Sequence, residues 1–304
     1  MSASATDANA VSVRAPAKIN LALQVCGRRA DNYHLLDSLV VFADVGDRIT
    51  VTAHDKLELA VTGRFAAALA QEPDNLVLRA ARYLAARHKI DKGARISLEK
   101  NLPVASGVGG GSADAAATLR ACARLWGVDA GQLADGEIAA GLGADVPVCL
   151  SGVPAFMSGI GEIIAPAPAL PPAWLVLANP GAPLATRAVF AALAGRFSPA
   201  LSRDGWAGLK DAGALAKVLA GCRNDLTTPA LTLLPAIGAV LEALAGTAGC
   251  LLARLSGSGP TCFGLYSDAA AAKAAAAAIA AQRPAWWTAA AAVLAPGAAR
   301  GNVS

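Results

Sequence analysis

The chain has 304 residues, with 26 Lys and Arg against 22 Asp and Glu and a formal net charge of +4, enough for two domains or one large one with a proper core. No dense Lys/Arg block interleaves with aromatics, which leaves a nucleic-acid partner without support, and no run of about 18 apolar residues is free of charge and proline, which excludes a membrane-spanning helix. The six cysteines lie far apart with no CxxC pair, as reduced core residues of a cytoplasmic protein would, and residues 1–10 lack the basic and apolar segments of a secretory signal and read as a frayed tail.

From Val11 to Val25 the residues alternate with period two, broken near Pro16, which predicts a strand carrying Lys18 and Asn20 on one face. A strand is expected over Ser38–Phe42, and Asp47–Ala53 with Leu57–Val61 reads as a hairpin. Pro73-Asp74-Asn75 leads into a helix over 76–89, and Ala94–Lys100 forms a strand entering a glycine-rich loop. A helix follows over Asp114–Trp126, and a shorter one around 131–142 ends at Gly143-Ala144-Asp145-Val146-Pro147. There Pro147 stops regular structure and leaves Asp145 in a constrained turn. The proline-rich run 166–172 reads as a linker with a domain boundary near 165. Beyond it Trp174–Ala178, Gly249–Leu255 and Thr261–Tyr266 read as strands, and Ala269–Gln282 as an alanine-rich helix capped by Asp268. Such mixing of strands and helices predicts an α+β (α/β two-layer) architecture.

The most specific local signal is Pro103-Val104-Ala105-Ser106-Gly107-Val108-Gly109-Gly110-Gly111-Ser112, set between a strand and a helix. Glycines let backbone N–H groups converge on an anion without Cβ obstruction, and a helix N-terminus adds positive potential at the same place. No Lys-Ser or Lys-Thr pair follows the last glycine, so this is not the common P-loop, and it is not a clean dinucleotide fingerprint either, since Asp129, about 20 residues on, stands alone in a polar loop. A nucleotide polyphosphate is the expected ligand. A plain surface loop is the alternative, against which the strand-loop-helix setting weighs.

Three separated segments, Ala15-Pro16-Ala17-Lys18-Ile19-Asn20-Leu21, Pro103–Ala117 and Leu255-Ser256-Gly257-Ser258-Gly259-Pro260-Thr261, resemble the GHMP kinase superfamily, whose members phosphorylate small alcohols and acids from ATP. Two more, Arg28-Arg29-Ala30-Asp31-Asn32-Tyr33-His34-Leu35 and Gly143–Pro147, are similar to the branch acting on a diphosphocytidyl methylerythritol of the non-mevalonate isoprenoid route. The resemblance covers nearly the whole chain. It implies an N-terminal ATP-binding domain at 1–165, a C-terminal domain at 166–304 and an active site in the cleft between them. ATP and Mg2+ would be the cofactors, the acceptor would be the substrate's 2-hydroxyl, and the chain would be a monomer or weak homodimer. Another small-alcohol kinase, of homoserine or mevalonate type, would share the glycine loop without requiring Tyr33 and His34. A non-catalytic nucleotide-binding regulator would not need both Lys18 and Asp145.

Residue roles follow from the same resemblance. Asp145 is the expected base and Lys18 its partner, which would hold the carboxylate ionised and orient the hydroxyl; a structural ion pair is the alternative. Asn20, Tyr33, His34, Thr186 and Phe190 are assigned to the substrate, with Phe190 stacking on the cytosine or simply filling a core. Residues 103–112 are assigned to ATP, with Ser112 the expected phosphate or magnesium contact and the other metal ligands open. Asn75 would reach adenine or cap the following helix. Asp114 would complement the helix dipole or repel phosphate unless magnesium intervened. The chain departs from the family pattern at Asn32, Ser106, Ala113 and Arg187, and His54 and His88 receive no role.

Overall fold

The computed structural model describes residues 10–69, 75–134 and 141–298. Its first sheet is built on a long hairpin, β1 (Val11–Arg28) and β2 (His34–His54), paired antiparallel along their lengths. The other edge of β2 carries β5 (Ala155–Gly159) on its first part and β4 (Gly93–Glu99) on its last, with β6 (Ile163–Pro166) beyond β5 and β3 (Leu57–Thr62) beyond β4. Helices α1 (Leu76–Arg87), α2 (Gly110–Trp126) and α3 (Val146–Ser151) pack on this sheet. The second sheet is antiparallel in the order β10-β7-β9-β8, formed by β7 (Trp174–Asn179), β8 (Leu252–Leu255), β9 (Cys262–Tyr266) and β10 (Trp287–Ala292). The remaining helices are α4 (Thr186–Ala191), α5 (Ala212–Ala220), α6 (Thr227–Leu233), α7 (Ala236–Ala245) and α8 (Ala269–Gln282).

Side-chain alternation sorts the core into layers. On β7, Leu175 and Leu177 face the first sheet, whereas Val176 and Ala178 join Ile237, Val240 and Ile279 of α7 and α8. On β1 a bulge changes this phase. Val13 and Ala15 lie in the core under α1 and α2, but after the irregularity at Pro16/Ala17 the odd-numbered Ala17, Ile19 and Leu21 face the second sheet. Proline, with no N–H to give the ladder, fits that break. The consequence is functional. Lys18 and Asn20 are delivered to the side where α2 begins.

Two expectations are corrected. Asp47–Ala53 and Leu57–Val61 are not paired as a hairpin, because β4 inserts between them, antiparallel to β2 and parallel to β3. The segment from Ser38 to Ala53 is one continuous strand, bent enough to serve two partners on one edge. β1 runs on to Arg28, β8 begins at Leu252 instead of Gly249 and α2 begins ahead of Asp114, while Asp268 caps α8 through Ala271 N–H at 2.9 Å. The expected tail at 1–9, Pro73, Asp74 and residues 135–140 lie outside the described residues. Within the helix expected over 131–142 the structure shows a 3₁₀ turn at Ala130–Ala134. Three cysteines, Cys122, Cys149 and Cys262, are buried, while Cys26, Cys222 and Cys250 are half-buried, and none is bonded to another.

Candidate active site

The glycine loop connects β4 to α2, and the helix begins inside it. Gly110, Gly111 and Ser112 form the first turn, four residues ahead of the start expected at Asp114. Ala113 N–H makes the first intrahelical bond, to Gly109 O at 2.9 Å, so the N–H groups of Gly110, Gly111 and Ser112 precede the ladder and are free to bind an anion. Gly109 is left-handed (φ 62°), and a Cβ there would sit 2.9 Å from Lys18 Cε. At Gly107 (φ 76°) a Cβ would meet Ser256 O at 2.4 Å. Only glycine permits these two approaches.

Serine and threonine from the third motif lock the loop in place. Asn20 N–H donates to Ser256 Oγ (3.2 Å), which donates to Gly107 O (2.9 Å), and Thr261 N–H donates to Ser106 O (3.1 Å). Ser106 Oγ turns inward to Pro103 O at 2.6 Å rather than toward a ligand. The three motifs are therefore one constellation. Of residues 103–112 all line the cleft except Val108, whose side chain is buried between the sheets while its carbonyl accepts from Lys18 N–H at 2.9 Å.

Lys18 Nζ lies 3.0 Å from Asp145 Oδ2 and donates to Asn20 Oδ1 at 3.0 Å. Asn20 is oriented in turn, since its Nδ2 donates to Ser38 Oγ (2.7 Å), which donates to Ala22 O (2.7 Å). Pro147 does not end regular structure as expected, although Asp145 does lie in a turn. It is the N-cap residue of α3 with ordinary helical backbone angles, and Pro147 occupies the first turn of that helix instead of ending one. Its side chain caps nothing and is free to face Lys18. These groups open into a cleft of about 660 Å³ that also takes in Ser112, Asn75, Thr186, Phe190 and Ser258.

At the other end of the cleft, His34 stacks on Phe190 with ring centroids 5.0 Å apart and planes 30° apart. Burial, aided by the Arg28 charge, pulls the His34 pKa below its ordinary value, so the ring is neutral at physiological pH. Neither His34 nor Tyr33 lines the cleft itself, and Tyr33 is 60% exposed. Asn32 holds φ 71° in the turn before them, a conformation asparagine tolerates better than most residues. Thr186 Oγ1 and Ser258 Oγ share a hydrogen bond at 2.8 Å. Asn75 does cap α1, its Oδ1 accepting from Val77 N–H at 2.9 Å, and its residue also borders the cleft.

Sequence reasoning missed a buried ionic cluster behind the loop. Lys100 Nζ bridges Asp47 Oδ2 (2.5 Å) and Asp114 Oδ2 (2.6 Å), and a Cβ on Gly110 would come within 3.1 Å of that ammonium. Asp47 Oδ1 also accepts from Asn101 and Leu102 N–H at 2.6 and 2.8 Å, whereas Asp114 Oδ1 has no hydrogen-bond partner. Burial, opposed by Lys100 and reinforced by Asp47, pushes the Asp114 carboxyl up to about 8. Asp47 lies in a polar stretch of β2, so no local pattern marked it. Ser38 and Leu226 also belong to the cleft or its frame without having been singled out, and Ser256, expected only as a member of the third motif, frames the loop.

The fold and this convergence of three motifs define a GHMP kinase. The GHMP kinases N terminal domain matches residues 75–153 and the GHMP kinases C terminal domain residues 199–285. The 4-diphosphocytidyl-2-C-methyl-D-erythritol kinase of Paramagnetospirillum magneticum is 54% identical over 259 residues, covering 85% of this chain and 90% of the relative. That of Parvibaculum lavamentivorans is 59% identical over 260 residues, with 84% and 89% covered. A crystal structure of 4-(cytidine 5'-diphospho)-2C-methyl-D-erythritol kinase superposes with a TM-score of 0.73 at 32% identity, covering 92% of this chain and 98% of the other. Homoserine kinase from Cytophaga hutchinsonii shares the fold, with a TM-score of 0.66 at 19% identity over 97% of both chains. The chain belongs to the 4-diphosphocytidyl-2-C-methyl-D-erythritol kinase family, within the GHMP kinases.

Proposed function

We propose that the chain transfers the γ-phosphoryl group of ATP to the 2-hydroxyl of 4-diphosphocytidyl-2-C-methyl-D-erythritol. The observation carrying this reading is the Lys18–Asp145 pair, 3.0 Å apart, in the same cleft as the unpaired N–H groups of the glycine loop. Phosphoryl transfer asks chiefly for positioning and charge stabilisation. Asp145 takes the proton from the acceptor hydroxyl as the new O–P bond forms, and Lys18, held by Asn20, orients that hydroxyl for in-line attack. The N–H groups of Gly110, Gly111 and Ser112 hold the phosphates, and Asn75 borders the space for adenine.

His34 and Phe190 hold the cytosine, Tyr33 closes over it from the exposed turn, and Thr186 with Ser258 contacts the adjoining part of the substrate. Mg2+, when bound, would neutralise phosphate charge, and the Ser112 hydroxyl at the start of α2 would help to hold it. Among the described residues no group of three His, Cys, Asp or Glu is arranged to hold a metal. The cleft lies between domains at 1–165 and 166–304, and the protein works in the cytoplasm as a monomer or weak homodimer. No described helix is long and apolar enough to cross a membrane.

The test is a coupled assay of ADP release with Mg-ATP, comparing the diphosphocytidyl substrate with homoserine and mevalonate, for wild type and Asp145→Asn. Turnover with the cytidine substrate alone, lost in the variant, supports the reading. Turnover with another alcohol moves the protein to another branch of the superfamily, and ATP binding without turnover makes it a regulator.

A further inference from the structure

Beside the cleft lies a second cavity of about 570 Å³ that shares no lining residue with it. Leu193, Phe197 and Leu241 give it an apolar side, and the arginines Arg196, Arg223 and Arg254 are among the residues that line it. Asp225 is the one carboxylate among the lining residues, and it is engaged, its Oδ2 accepting from Val25 N–H at 2.8 Å and its Oδ1 lying 3.5 Å from Arg223 Nε. Arg254 is only 9% exposed and donates to the carbonyls of Leu21, Leu219 and Cys222 at 2.7–2.8 Å. Those three bonds leave two of the five guanidinium N–H groups unspent. Among the described residues no carboxylate pairs with Arg254, and Arg196 has neither an ion pair nor a side-chain hydrogen bond. A buried guanidinium without a counter-charge is costly, and an anion beside it offsets that cost. The hydroxyls of Ser198, Thr227 and Thr228 add donors around the same space.

We propose that this cavity is a second ligand site, taking a phosphate monoester that carries a short apolar group. The arginines and hydroxyls receive the phosphate, and the leucines and Phe197 cover the apolar group. The site also shares a wall with the cleft. Leu226 and Gly257 face the cleft while Asp225, Thr227 and Leu255 face the second cavity, and Asn224 Nδ2 ties the two segments through Leu255 O (2.9 Å) and Gly257 O (2.8 Å). The proposal concerns binding and stands independently of the kinase reading.

Calorimetric titration of the full chain with n-butyl phosphate, the cleft first saturated with a non-hydrolysable ATP analogue, tests it. The expected result is salt-sensitive binding that n-butanol does not reproduce and that inorganic phosphate reproduces only weakly. The Arg196→Ala/Arg223→Ala variant, which changes two exposed side chains outside the cleft, should melt like wild type yet bind about tenfold more weakly or worse. Butyl phosphate should also slow alkylation of the half-buried Cys222, which lines the cavity, without protecting Cys26. No binding, loss of binding when the analogue is present, unchanged affinity in the variant, or unprotected Cys222 would each overturn it.

Discussion

Lys18 and Asp145 meet at 3.0 Å across the boundary between a buried and an open environment, with the lysine side chain 6% exposed and the aspartate 35%. The lysine is fixed from three sides, by Asn20, by the Gly109 backbone and by its own N–H to Val108, whereas the aspartate stays accessible to an incoming hydroxyl. This asymmetry separates the two variants. Asp145→Asn should reduce kcat by roughly a hundredfold to ten-thousandfold, the range for loss of a general base, with the KM for ATP nearly unchanged. Lys18→Met should also lower kcat, and in addition shift the melting temperature, because it strips Asn20 of its buried donor. Initial rates at varied ATP, with thermal melts of both proteins, check the split.

The His34–Phe190 stack sets up a different readout, because it lies away from the phosphates. Phe190→Ala should raise the acceptor KM by about tenfold while leaving the ATP KM in place, since an aromatic pair contributes roughly 0.5–1.5 kcal/mol beyond its buried area. His34 carries a lowered pKa, from burial and then from Arg28. Its ring therefore stays neutral until the pH falls below the ordinary histidine range, and the acceptor KM should be flat through neutral pH and rise only in acid. Arg28→Ala removes the repelling charge and should move that rise toward neutrality. Acceptor KM measured from pH 5 to 8 decides it; a rise beginning near pH 7 in wild type contradicts the assignment.

How far the sequence carries depends on how local each feature is. The glycine loop, the α1 and α8 caps and the Lys18/Asn20 face rest on patterns of a few residues, and Asn75, Asp268 and Pro16 announce them directly. What failed was pairing across distance. Nothing near Ala53 or Leu57 shows that β4, some forty residues later, will come between their strands. The start of α2 was misplaced because glycine is a poor helix former, while here Gly110 has to be small to clear the Lys100 ammonium. Asp47 and Lys100 were invisible for the same reason as the strand order, being 53 residues apart and meaningful only once β2 and β4 pair.

Glycines of the loop should not be equivalent. Gly107→Ala would place a Cβ 2.4 Å from Ser256 O on a left-handed backbone, so two chain segments must part. It should lower stability by more than the roughly 1–2 kcal/mol of left-handed strain alone, and should impair ATP and acceptor binding together. Gly111→Ala meets nothing within 4 Å and sits in the first turn of α2. Replacing a helical glycine by alanine favours the helix by up to about 1 kcal/mol, so this variant should melt at or above the wild-type temperature. If the turn cradles phosphate, the same variant should nevertheless show a raised ATP KM with the acceptor KM unaltered. A variant that is neither stabilised nor weakened toward ATP would place the phosphates elsewhere.

Asp114 supplies the pH dependence. Burial, against the pull of Lys100 and with Asp47 adding to it, raises its folded pKa to about 8, above the 3.8 expected of an unfolded aspartate. Between those two values the folded chain holds a proton that the unfolded chain has released, so stability falls as the pH rises through this window and levels off above it. Asp114→Asn keeps the shape, accepts from Lys100 through its amide oxygen and cannot ionise, leaving Asp47 with its backbone donors as the sole carboxylate on Lys100. The variant should therefore lose less stability than wild type between pH 5 and 8, and the two denaturation midpoints should diverge toward the alkaline end. Chemical denaturation at several pH values, with the midpoint followed for both proteins, makes the comparison. Parallel pH profiles would mean that Asp114 is ionised throughout the range and that Lys100 holds two carboxylates at once.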